Sequence, residues 1–87
     1  MMLKVFVKKG CPGCLKATEL RALEGKLDVL FFDIETEEGL CEALACSVLT
    51  TPSVILEADG SEIARWSKLP SKDEVLKCAF LSKRSKE

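Results

Sequence analysis

Cys11 and Cys14 are separated only by Pro12 and Gly13, and two thiols at that spacing can do one of two things. They can cycle between dithiol and disulfide, which needs two sulfurs within bonding reach and one of them available as thiolate. Alternatively, they can supply half of a four-ligand zinc-type site. The chain has no histidine, and only Cys41, Cys46 and Cys78 remain as further sulfurs. On one helix Cys41 and Cys46 would stand roughly 140° apart and would not converge. The pair therefore reads as redox-active with no metal and no cofactor, and the other three cysteines read as small buried hydrophobes.

A redox thiol must be held where it can ionise. Pro12 suits the first turn of a helix, where its missing N–H costs nothing. The pattern predicts a helix from there to about Glu24, closed by Gly25. On a 3.6-residue period Cys14, Leu15, Thr18 and Ala22 share the inward face, which leaves Cys11 at the rim. The unpaired N–H groups and dipole of that helix start would favour a thiolate at Cys11, and Lys8 and Lys9 would add positive charge. The Cys11 pKa is expected below the free-cysteine value of about 8.5.

The elements that position this turn can be read outward from it. Met2–Val7 is a β-branched and aromatic run fit for a buried strand. Leu27–Ile34 is a second strand. The acidic stretch Asp33–Glu38 favours a helix start, so a helix is expected from about Thr36 to Cys46, with Leu40 and Leu44 inward. Thr50-Thr51-Pro52 breaks the pattern, and Ser53–Leu56 is a third strand. Ala58-Asp59-Gly60-Ser61 signals a hairpin into a fourth strand, Ile63–Trp66. Ser71 and Glu74 fit a capping box for a last helix with Val75, Leu76, Ala79 and Phe80 as its apolar stripe. The tail from about 82 is polar and is expected to fray. The order is β-α-β-α-β-β-α. It implies an α/β domain with a four-stranded mixed sheet flanked by three helices. The first two strands should be parallel, through a right-handed crossover.

Composition narrows the function classes. The 87 residues make one domain, with 47% hydrophobic and 31% charged residues, enough apolar content for a core and too much for disorder. No apolar run approaches the roughly 20 residues of a membrane span. The run from Met1 to Gly10 lacks the features of a secretory signal, so a cytoplasmic protein is expected. An odd count of five cysteines argues against a secreted disulfide framework. Charge is segregated along the chain. Residues 1–26 carry six Lys and Arg against two Glu, 27–64 carry nine acids and no Lys or Arg, and 65–87 carry seven bases against three acids. That polarity can orient a protein partner. One Trp, four Phe and a net charge of −1 do not suit nucleic-acid binding.

With Cys-Pro-Gly-Cys after the first strand and Thr51-Pro52 before the third, the chain resembles the thioredoxin superfamily over about Met2–Leu81. It is similar to the minimal members, the glutaredoxins and glutaredoxin-like redoxins. The resemblance implies a cis Thr51–Pro52 bond beside the cysteines, with the Thr51 backbone free to pair with an extended substrate. It makes Cys11 the nucleophile and Cys14 the resolving thiol, and it adds Pro12 and Gly13 to the substrate-binding set. The buried acid of thioredoxins would fall at Val5. Ser67-Lys68-Leu69-Pro70 stands where glutaredoxins carry Gly-Gly and an acid. Trp66–Pro70 resembles the Trp-Ser-Gly-Phe-Arg-Pro segment of small redoxins that serve ribonucleotide reductase, which implies a partner contact at Trp66. The implied activity is protein-disulfide reduction by a monomer. Thioredoxin reductase or glutathione would be the reductant, and ribonucleotide reductase is one candidate acceptor. Two other readings stand beside it. One is a CxxC metal carrier, whose copper-chaperone form has the order β-α-β-β-α-β and no Thr-Pro strand start. The other is a binding module that keeps the fold without the chemistry.

Overall fold

The computed structural model describes residues 1–85, with side chains described through 82. Four strands form one sheet: β1 (Met2–Val7), β2 (Asp28–Asp33), β3 (Ser53–Ala58) and β4 (Ser61–Trp66). Their spatial order is β2-β1-β3-β4. β1 runs parallel to β2 and antiparallel to β3, and β3 and β4 form a hairpin. Asp59 and Gly60 both have positive φ, 53° and 80°, as a two-residue hairpin turn matching the sheet's twist requires. The strands fall where the apolar runs placed them. β1 and β3 are central, which is why Leu3, Val5, Phe6, Val54, Ile55 and Leu56 are all fully buried.

The helical layer differs from expectation in three places. Between β1 and β2 there is no continuous α-helix. A single 3₁₀ turn, Pro12–Cys14, is followed by a separate 3₁₀ segment, Ala17–Leu23. A 3₁₀ segment repeats every three residues, so its buried side is Ala17, Leu20 and Leu23. Leu15, Thr18 and Ala22, expected inward, are exposed. α1 (Glu37–Ala45) has the expected bounds, with Thr36 as N-cap accepting from the Gly39 N–H at 3.0 Å. It turns Gly39 and Ala43 to the sheet, while Leu40 and Leu44, expected inward, are 48% and 68% exposed. The reason is proximity: a Cβ on Gly39 would overlap the Asp33 carbonyl, so only the small-residue face can approach this closely. α2 (Lys72–Ser85) opens on the expected capping box. The Glu74 N–H donates to Ser71 Oγ at 3.1 Å and the Ser71 N–H to Glu74 Oε1 at 3.4 Å. Val75 is fully buried, but Phe80, assigned to the inward stripe, is 60% exposed. α2 takes in residues 82–85 of the expected tail, and 86–87 lie outside the described residues.

Each sheet face has its own core. The 3₁₀ segment and α2 cover Leu3, Val5, Val29, Val54 and Leu56. α1 covers Phe6 and Ile55 with Ala43 and Val48, and Phe32 stacks on Phe6 with ring centroids 5.3 Å apart. The cysteine turn leaves the sheet at the end of β1.

Candidate functional site

β1 ends at Val7, and the chain turns through Lys8-Lys9-Gly10 with Gly10 at φ 78°. This backbone favours glycine, and it bends the chain into the cysteine turn. The Cys11 N–H donates to the Lys8 carbonyl at 3.3 Å and the Cys14 N–H to the Cys11 carbonyl at 3.1 Å. The turn brings the two Cα atoms to 5.3 Å, and Cys11 and Cys14 are joined as a disulfide. Both are half-buried, so the expected contrast of an inward Cys14 and a rim Cys11 is not a contrast of burial. It was drawn from an α-helical period that this segment does not have.

The second signal lies against the first. The Thr51–Pro52 peptide bond is cis, Pro52 is buried and Thr51 half-buried. Ser53 Oγ donates to the Thr50 carbonyl at 2.6 Å, which closes the backbone around the proline and satisfies a buried hydroxyl. A Cβ on Gly13 would come 3.0 Å from Pro52 Cδ, so the Pro12–Gly13 bridge rests on the proline ring. The structure therefore brings together Cys11, Pro12, Gly13, Cys14 and Pro52. Thr51, the residue next to the proline, comes with them.

Electrostatics at the turn differ from those of a long helix. A single 3₁₀ turn sums fewer peptide dipoles than three turns of α-helix, so Cys11 has less backbone field than the continuous helix would supply. Lys8 and Lys9 line the same crevice as Cys11 and Cys14. Asp33 and Phe31 line it too. Asp33 was not read from the sequence as a site residue. Its signal was topological, because parallel pairing sets Val7 opposite Asp33 and so carries the end of β2 to the end of β1. The Glu35 carboxylate nearby accepts from the Lys9 N–H at 3.1 Å, tying the approach loop to the β2–α1 connection. Trp66 is not exposed for docking as a whole side chain. It is half-buried at the end of β4 and packs on the core with Leu69.

The remaining cysteines lie away from the turn. Cys41 is exposed on α1, against the expectation of burial, while Cys46 and Cys78 are half-buried. Burial pushes the Cys46 thiol up, and the nearby Lys4 ammonium partly offsets this. Among the described residues no three His, Cys, Asp or Glu side chains converge on a metal position. Among them, too, no helix is long and apolar enough to cross a membrane.

No protein-family model matches the sequence, and no curated protein matches it. Solved structures do match. Thioredoxin 1 from the thermophilic eubacterium Thermosipho africanus aligns with a TM-score of 0.79 at 21% identity over 100% of both chains. Thioredoxin-2 of the malaria parasite, described as a component of its protein secretion machinery, aligns at 0.74 and 25% identity over 94% of this chain and 81% of that one. Fasciola hepatica thioredoxin aligns at 0.74 and 20% identity over 92% and 78%. The element order is not that of the copper-chaperone fold, and this chain has the fold of the thioredoxin superfamily, in a minimal four-stranded form.

Proposed function

We propose that this protein is a thiol–disulfide oxidoreductase that reduces protein disulfides through Cys11 and Cys14. The observation that carries the reading is the Cys11–Cys14 disulfide on a turn seated against Pro52. In the reduced protein the Cys11 thiolate attacks one sulfur of a substrate disulfide, forming a mixed disulfide and releasing a substrate thiolate. Cys14, as thiolate, then attacks Cys11 Sγ and releases the second substrate thiol. Two electrons pass to the substrate, and the protein is left with its own disulfide. An external thiol system, thioredoxin reductase with NADPH or glutathione, returns the pair to the dithiol. Cys11 is the attacking sulfur because it precedes the turn, beside Lys8 and Lys9, where thiolate is favoured. Thr51 supplies backbone for the substrate to pair with, next to Pro52. Ribonucleotide reductase is one disulfide substrate of the right kind, and the reading suits a cytoplasmic monomer.

Insulin-disulfide reduction tests this directly. Cys11→Ser should abolish turnover and form no mixed disulfide. Cys14→Ser should also lose turnover but accumulate a covalent mixed disulfide, visible as a mass increase that dithiothreitol removes. Wild-type turnover in both variants would overturn the pairing.

A further inference from the structure

Beside the cysteine turn a groove of about 750 Å³ runs between the Pro12–Gly13 bridge and the segment joining β4 to α2. Leu20, Leu69 and Pro70 give it an apolar wall, and Lys16, Lys68 and Lys72 stand along it. All three lysines are exposed, and among the described residues none makes an ion pair. Two acids, Glu19 and Glu74, also line the groove, and Glu74 is turned to the Ser71 N–H in the capping box, so the lining carries three cations against two anions.

One of these cations is placed against local stability: Lys72 is the first residue of α2, ahead of the acids Asp73 and Glu74. The start of a helix carries partial positive charge, so a lysine there is the wrong sign by some tenths of a kcal/mol and an acid the right one. The chain has many acids, but its densest acidic run, 27–64, contributes none to this groove. Three lysines without an ion-pair partner among the described residues and a net positive lining beside the cysteine turn are what an incoming negative partner would complete.

We propose that this groove selects the disulfide substrate by charge: the preferred partner is a protein segment whose reactive cysteine is flanked by Asp and Glu. The proposal rests on the oxidoreductase reading above and names the substrate class of that same site. The occupant is a peptide segment because one chain must both reach the Cys11–Cys14 turn and lie along a groove that begins at Pro12 and Gly13. Apolar residues of that segment would cover Leu69 and the exposed Leu15, while its carboxylates face the lysines.

The test uses two peptides of one core sequence, each with its cysteine held as a mixed disulfide with thionitrobenzoate. One carries Asp and Glu flanks and the other Lys and Arg flanks. Release of the coloured thiolate by the reduced protein reports attack by the Cys11 thiolate on the peptide's mixed disulfide. At low ionic strength the acidic peptide should react about tenfold faster than the basic one, and the ratio should shrink as salt screens the field. In the triple variant Lys16→Glu, Lys68→Glu, Lys72→Glu the preference should invert. An acid at position 72 suits the helix start and all three positions are exposed, so this variant should fold. Lys26→Glu, a charge reversal of the same kind at one residue beside Ala58 and Asp59 at the far end of the sheet, should leave the ratio as in wild type, whereas Lys68→Glu alone should lower it. A triple variant that keeps the wild-type ratio, or a wild type indifferent to the flanks, overturns the charge selection while leaving the oxidoreductase reading intact. Reaction with neither peptide, together with inactivity on insulin, overturns the oxidoreductase reading and this proposal with it.

Discussion

On one side of the sheet every buried residue under the 3₁₀ segment and α2 is apolar, from Leu3 and Val5 across to Val54, Leu56 and Val75. On the other side the cover is small and charged. Gly39 and Ala43 let α1 lie close, and Lys4, 12% exposed at its side chain, reaches from β1 to Glu42 at 2.6 Å and Glu57 at 3.0 Å. Arg65, held by Glu62, donates to the Cys46 carbonyl at 2.6 Å and the Ser47 carbonyl at 3.2 Å, capping the end of α1 from β4. The contrast separates two tasks. The cysteine turn sits on the face where, among the described residues, no ion pair is buried in the packing, so its support should depend little on pH. The α1 face is fastened by groups that titrate.

The largest effect should come from the apolar face. Leu20 is the middle member of the buried Ala17, Leu20, Leu23 row, and Leu20→Ala should cost about 2–5 kcal/mol of unfolding free energy. The denaturation midpoint in urea measures it. Because Leu20 also forms a wall of the groove beside Pro12 and Gly13, the same variant should slow disulfide reduction. A loss well below 1 kcal/mol would mean that the 3₁₀ segment does not carry the packing of this face.

How much of this contrast was legible in the sequence follows from which periodicity each segment obeys. The strands were readable because Leu3, Val5 and Val7 alternate with Lys4 and Phe6, and because Asp59-Gly60 marks the hairpin. Cys11, Cys14 and Thr51-Pro52 were readable as residue types with meaning at fixed places in that order. The helical faces were not. A stripe of Ala17, Leu20 and Leu23 is as regular as the α-helical alternative, and no single residue says that the period is three. On α1 the apolar bulk of Leu40 and Leu44 pointed inward by hydrophobicity, but contact distance decided the outcome in favour of Gly39 and Ala43. The lysine-lined groove joins residues over fifty positions apart, which only the folded chain brings together.

A smaller effect is expected where α1 meets the sheet. Gly39→Ala places a methyl group into the Asp33 carbonyl, which is backbone and cannot rotate away, so α1 must lift. The expected loss is about 1–3 kcal/mol, despite the better helix propensity of alanine. Thermal or urea unfolding measures it, and an unchanged or raised stability would show that α1 is not held against β2 in this way. Insulin reduction should suffer less than in Leu20→Ala, since α1 does not line the cysteine crevice.

The smallest effect sharpens the comparison most, because it is conditional. The hydrogen bond from Lys4 holds the Glu42 carboxyl below its ordinary value of 4.5, and Glu42 and Glu57 together raise Lys4. A carboxyl lowered on folding adds stability that is fully present above pH 4.5 and disappears as pH falls through the lowered value. For Lys4 the contribution is present below 10.5 and fades only as pH rises beyond it. Glu42→Gln should therefore cost about 1 kcal/mol at pH 7, modest because the pair is partly solvated and Glu57 remains on Lys4. That cost should close towards zero as pH is lowered from 4.5, since a protonated Glu42 and a glutamine are nearly alike in charge. Urea midpoints of wild type and variant across pH 7 to 3 give the difference curve. Leu20→Ala should show a flat curve over the same range. If the Glu42→Gln difference is equally flat, the Lys4 ion pair is not what fastens α1, and the two faces of the sheet are held by the same kind of force.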